Sequence, residues 1–120
     1  MNENDEPRVV TKDLYAVLTT PVVERDKVVE ALPDHLKYQV SLEERGIMFA
    51  AGPLFDRDGA PPRAGLIIIR ADSFAEAEEI AKADPMHARG LRSYTLDKWQ
   101  INEGGFTLKV QFEKRIATID

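Results

Sequence analysis

The stretch GLIIIRADSFAEAEEIAKADP, residues 65–85, decides the fold. Gly65 to Ala71 is rich in β-branched residues and reads as a strand buried on both faces. Ser73-Phe74-Ala75-Glu76 is a capping box, in which the Ser73 hydroxyl and the Glu76 carboxylate satisfy amides at a helix start. Phe74, Ala77, Ile80 and Ala81 then fall on one helical face. Asp84-Pro85 closes that helix, because the residue before a proline is biased away from helical geometry. This is a strand-to-helix unit. On its C-terminal side, Pro85–Arg89 forms a short turn ending at Gly90, and Ser93–Ile101 alternates as a strand. On its N-terminal side, Met48–Phe55 is an apolar strand, and Asp56–Arg63, with Asp58-Gly59, is the turn joining it to residues 65–71 as a hairpin.

Further upstream, Asp13–Thr20 reads as a strand that Pro21 ends. Residues 22–32 have helical spacing and stop at Pro33, which predicts a short helix and then a second from Pro33 to Arg45, with Gly46 as its stop. Leu36, Gln39, Val40 and Glu43 share one face of the second helix, close to Leu32 and Leu42. Phe106–Phe112 is one more strand. The expected division is a polar N-terminal tail over 1–12, a domain over 13–101 and a strand extension over 102–120. The order strand, helix, strand, strand, helix, strand predicts an α+β, ferredoxin-like βαββαβ fold with an extra C-terminal strand. Right-handed crossovers place both helices on one sheet face. The other face needs cover that the chain cannot supply, which predicts a homodimer with the sheets back to back, the tail strand extending a sheet edge or reaching across to the partner.

Composition narrows the function. The chain has 120 residues, enough for one domain, with 43% hydrophobic and 31% charged residues. Its formal charge is −5, much of it from Glu3, Asp5 and Glu6, so the rest is near balance. That gives no support to a nucleic-acid or anionic-membrane partner. The absence of cysteine excludes disulfides, thiolate metal sites and cysteine nucleophiles. The acidic start is unlike a secretory leader, and no apolar run could span a bilayer, so the expected location is the cytoplasm. Two distant histidines without carboxylates at ligand spacing give no metal site, and no glycine-rich loop marks a nucleotide cofactor.

The topology gathers one rim. The helix start with His35, the helix end with Asp84, the strand exits at Gly52 and Pro53, and the segment carrying Arg89 and Arg92 all reach it. His35 and Asp84 could form an acid–base pair in which the carboxylate orients the ring. Asp84 is equally the expected N-cap of a turn beginning at Pro85, bonding the Met86 or His87 amide. Arg89 and Arg92 are candidates to hold an anionic ligand, with surface ion pairing as the plain alternative. Tyr94 and Trp99 read as packing residues.

His35-Leu36, Glu43-Glu44-Arg45-Gly46-Ile47, Ala51-Gly52-Pro53-Leu54, Ser73-Phe74 through Ala83-Asp84-Pro85, and Gly90-Leu91 form an ordered set. The set resembles the YciI-like, or YCII-related, family over residues 13–101. The resemblance implies a dimeric α+β barrel built from two ferredoxin-like units, and a site whose His and Asp fall on His35 and Asp84. One branch of that family looks like a dehydrochlorinase acting on a chlorinated hydroxyhydroquinone. His87 and the tail 102–120 lie outside the family pattern.

Two readings follow. In the first, the chain is a small cofactor-independent enzyme: His35 is general base or acid, Asp84 orients it, and Arg89 or Arg92, with Gly52 and Pro53, hold a small oxygenated substrate, aromatic or not, for proton abstraction with elimination or isomerisation. In the second, it is a non-catalytic ligand-binding or dimeric assembly module. A His35 nitrogen within hydrogen-bond reach of Asp84 beside an open pocket separates the first from the second.

Overall fold

The β-branched run at 66–69 lies inside a four-stranded sheet in the computed structural model, which describes residues 13–120. The polar tail expected over residues 1–12 lies outside the described residues. The elements are β1 (Leu14–Pro21), α1 (Arg25–Glu44), β2 (Met48–Leu54), β3 (Ala64–Arg70), α2 (Phe74–Ala83), the single-turn α3 (Pro85–Ala88) and β4 (Arg92–Trp99). The sheet order is β2-β3-β1-β4 with every neighbouring pair antiparallel. This is the expected α+β, ferredoxin-like βαββαβ unit. β3 and β1 are the central strands, which is why their sequences are the most apolar.

Alternation along the strands sets the core. Tyr15 and Val17 of β1, with Ile67 and Ile69 of β3, point to one face and pack with Ala71, Ala77 and Ala81. The alanines let α2 lie close to the sheet. Burying a side chain such as Ile69, 1% exposed, stabilises by about 1.5–3 kcal/mol. Half of the capping box forms as expected, with Ser73 Oγ accepting from the Glu76 amide at 3.1 Å. The opposite sheet face carries Ala16 and Leu18 beside Ile68 and Leu66, with Ala50 and Gly52 on the edge strand β2.

Three expectations are corrected. Pro33 does not divide two helices but sits inside a single helix, α1. It costs that helix one backbone bond, because it has no amide to offer the Val29 carbonyl. The helix persists because it is anchored on both sides of the proline, at buried Ala31 and Leu42. His35 is therefore in the middle of a helix, not in a first turn. The inward face runs through Ala31, His35, Tyr38, Gln39 and Leu42, while Leu36 and Val40 are exposed. Gly46 does end the helix, with a φ of 71° that disfavours side chains. The third correction concerns the tail. Instead of one strand, it folds as a hairpin of β5 (Leu108–Gln111) and β6 (Ile116–Ile119), a separate two-stranded sheet that extends no edge of the main one.

Candidate active site

Asp84 is the hinge between two helices. Its extended backbone (φ −60°, ψ 126°) stops α2, and its side chain accepts from the Met86 amide to start α3. That geometry turns the carboxylate inward, where the residue is 2% exposed. Oδ1 accepts from Met86 N at 2.9 Å. Oδ2 accepts from Gln39 Nε2 at 2.9 Å. His35 Nδ1 lies 2.9 Å from both oxygens. Capping and pairing with His35 were set against each other as readings of the sequence; the same carboxylate does both.

The donor set fixes the chemistry. With Asp84 ionised, the Met86 amide and the Gln39 carboxamide donate to it, and His35 Nδ1 can only be a donor as well. Burial works to raise the Asp84 pKa, but the hydrogen bonds from His35 and the Met86 amide, with the charges of His35 and His87, outweigh it. The carboxyl is held below its ordinary range. With Nδ1–H committed to Asp84, the lone pair of a neutral His35 ring is on Nε2. The His35 side chain is 20% exposed, so the ring is held from one side and open to solvent on another.

A second histidine adjoins the first site. His87 Nδ1 donates to the Ala81 carbonyl at 2.7 Å. Its Nε2 lies 2.8 Å from Thr19 Oγ1. Arg92 Nε donates to the same hydroxyl at 3.0 Å, and Arg92 Nη2 to the Thr19 carbonyl at 2.9 Å. The chain of protons is thus determined for the neutral ring: Arg92 donates to Thr19, and Thr19 donates to His87. The His87 ring also rests against Tyr94, with centroids 4.4 Å apart. A water-sized cavity of about 10 Å³ lies beneath Asp84 and His87 among core side chains such as Val17, Leu42, Ile67 and Ile69. His35 is not part of its lining, so it is not the open pocket expected beside the pair.

The other expected residues are spread along the rim. Arg89 makes an exposed ion pair with Asp34 at 2.7 Å. Arg92 is half-buried on Thr19, and burial draws its guanidinium below the usual value against the field of Asp84. Gly52 and Pro53 are exposed on the edge strand, two strands from β1. Pro53 faces Gly65 across the β2–β3 pair, and Gly65 faces Thr19 across the next. Among the described residues no three His, Cys, Asp or Glu side chains converge to hold a metal ion. Sequence reasoning missed Gln39, Thr19 and His87 as members of this network. Gln39 lies four residues after His35, one helical turn on, which was a usable signal. Topology does bring the strand exit at Thr19–Thr20 and the segment from His87 to Arg92 to one rim, but nothing in the sequence marks the contact between Thr19 and His87.

The fold and the His35–Asp84 geometry define an α+β unit with a buried carboxylate–imidazole pair between its helices. The sequence profile of the YCII-related domain matches residues 10–100, and the chain belongs to that family. It is similar to the uncharacterized protein YjpA of Bacillus subtilis (strain 168), 37% identical over 65 residues, which is 54% of this chain and 68% of that protein. Its fold is similar to that of 5-chloro-2-hydroxyhydroquinone dehydrochlorinase (TftG) from Burkholderia phenoliruptrix AC1100, solved in complex with 2,5-dihydroxybenzoquinone. That likeness has a TM-score of 0.63 at 18% identity and covers 74% of this chain and 95% of the other.

Proposed function

We propose that residues 13–101 form an acid–base enzyme in which His35 exchanges a proton with a small oxygenated ring compound and Asp84 holds the ring. The observation that carries this is the 2.9 Å contact of His35 Nδ1 with both oxygens of a buried carboxylate. It leaves Nε2 to take a proton from substrate while Asp84 stabilises the imidazolium that forms. The electron pair released from the broken X–H bond forms a new double bond, and a leaving group such as chloride departs with its own bonding pair. In the isomerisation variant no group departs, and His35 returns the proton at a second atom. Arg89 and Arg92 supply positive charge on the same rim for an anionic oxygen, and Gly52 and Pro53 shape its far side. The similarity to a dehydrochlorinase seen with a dihydroxybenzoquinone supports this substrate class. The half-exposed apolar face of the sheet, with Leu18 and Leu66, is where a second copy packs in the proposed cytoplasmic homodimer. No helix among the described residues is long and apolar enough to cross a membrane.

The test is turnover of a panel of hydroxylated and chlorinated aromatics, followed by absorbance and chloride release. His35→Ala is expected to lower kcat by roughly 10²- to 10⁴-fold. A variant within twofold of the parent removes the mechanism. One observation favours the second reading, a ligand-binding module: Asp84 is already engaged by the α3 cap and by Gln39, as a purely structural residue would be. Binding of a panel compound with no turnover would select it.

A further inference from the structure

The C-terminal hairpin has no core of its own. Leu108 faces Ile119 and Val110 faces Ala117 across the β5–β6 ladder, so these four share one face, while Lys109, Gln111, Thr118 and one apolar residue, Ile116, lie on the other. Every strand residue except Gln111 is exposed. Leu108 is 57% exposed, Val110 54% and Ile119 72%. Apart from each other, neither strand has a substantial packing partner among the described elements. A lone two-stranded ribbon is marginal in water unless its apolar face is covered.

The same chain carries a second uncovered apolar surface. Val29, Leu32, Leu36 and Val40 are all exposed and follow one another at spacings of three, four and four, which is one stripe along the outer face of α1. The open surface around it is formed by Pro33, Lys37, Ser41 and Glu44 of the same helix.

We propose that the hairpin docks on the outer stripe of α1 in a second copy of this chain. Charge sets the direction. The hairpin turn carries Glu113, Lys114 and Arg115, a net charge of +1, and the C-terminal end of α1 carries Glu43 and Glu44 before Arg45, a net charge of −1; Lys114 and Arg115 are set against Glu43 and Glu44. None of the four has an ion-pair partner among the described residues. With the turn over Glu43 and Glu44, Val110 falls on Val40, Leu108 on Leu36 and Phe106 towards Leu32. The periods agree: alternate strand residues are about 6.8 Å apart and residues one helical turn apart about 6 Å. Each chain owns both halves of the contact, so docking closes reciprocally about a twofold axis. One hairpin and one helix face per protomer give roughly 20 residues a side, the lower end of a standard interface. This contact uses neither the His35–Asp84 site nor the open sheet face.

Because the chain has no cysteine, single-cysteine full-length chains test it cleanly. A Leu108→Cys chain and a Leu36→Cys chain, differently tagged, are co-expressed and purified through both tags. Mild oxidation is expected to yield a mixed disulfide at least tenfold above either homodisulfide. Lys114→Glu with Arg115→Glu in the Leu108→Cys chain is expected to lower that yield at least fivefold, and Glu43→Lys with Glu44→Lys in the Leu36→Cys chain to restore it. A Leu108–Leu108 disulfide, an intrachain disulfide in a chain carrying both cysteines, or no mixed disulfide overturns the proposal. These positions are exposed, so folding is not at stake.

Discussion

Asp84→Asn removes one charge and swaps one acceptor oxygen for a donor while keeping the shape. The Met86 amide can keep an oxygen to bond. The new NH₂ then faces the N–H of Gln39 and one of the two contacts of His35, whose Nδ1 keeps its 2.9 Å approach to the retained oxygen, so two lost bonds are an upper bound. Hydrogen bonds to a charged group are worth about 1.5–3 kcal/mol each, so two lost bonds bound the cost at roughly 3–6 kcal/mol. Rotation of the Gln39 amide, whose Oε1 has no hydrogen-bond partner, recovers part of it by accepting from the new NH₂. The net expectation is about 2–4 kcal/mol of lost stability, or roughly 8–16 °C in Tm for a chain of this length. Urea unfolding at neutral pH measures it. The difference must also depend on pH. The Asp84 pKa is depressed in the folded chain, so the unfolded state takes up its proton first as pH falls. Its stabilisation is present above the ordinary carboxyl range and lost as pH drops through the folded value. The gap between parent and Asp84→Asn should therefore narrow as the pH falls below the ordinary carboxyl range and through the lower folded value. Equal stability at neutral pH, within about 0.5 kcal/mol, or a gap unchanged by acid, would refute the reasoning.

Thr19→Val keeps the shape but strands Arg92 Nε and His87 Nε2; a loss of about 1–3 kcal/mol in urea unfolding is expected, with Thr19→Ser close to the parent. Gly65→Ala puts a Cβ 3.1 Å from Thr19 Cγ2, and Thr19 is fixed by its bonds to Arg92 and His87; thermal melts should show a small net destabilisation, the strain exceeding the chain-entropy gain of alanine. Burial, with the hydrogen bond and charge of Glu78, pushes the Tyr94 hydroxyl up to about 12. Glu78→Gln should bring one tyrosine in an ultraviolet pH titration back towards its ordinary value, and an unchanged titration curve would count against that contact.

Much of the fold was legible because its signals are local. The Leu66–Ile69 run, the Ser73 cap and Asp84-Pro85 each act within a few residues, and with the Asp58-Gly59 turn they order the elements. Pro33 was misread because its local penalty is visible in sequence, whereas the packing at Ala31 and Leu42 that outweighs it is not. The same misreading put the wrong face of α1 inward. The hairpin turn was missed because it has no glycine: Arg115 takes the positive φ of 53° that such a turn requires. At the site, His35 does meet Asp84, but not from the helix start that topology had assigned it, since α1 carries it at mid-length; the family resemblance pointed to the pair more soundly than the topology did. Their third partner, Gln39, was readable from its place one helical turn after His35, whereas the Arg92–Thr19–His87 ladder depends on contacts across the sheet and between helices that no spacing records.

The tautomer of His35 tests the central claim most directly. Long-range ¹H–¹⁵N correlation on labelled protein, at a pH where the imidazole is neutral, reports which nitrogen carries the proton. Protonated Nδ1 with bare Nε2 is expected for the parent. A ring protonated at Nε2 would mean that Asp84 does not hold it and that no base is presented to a substrate.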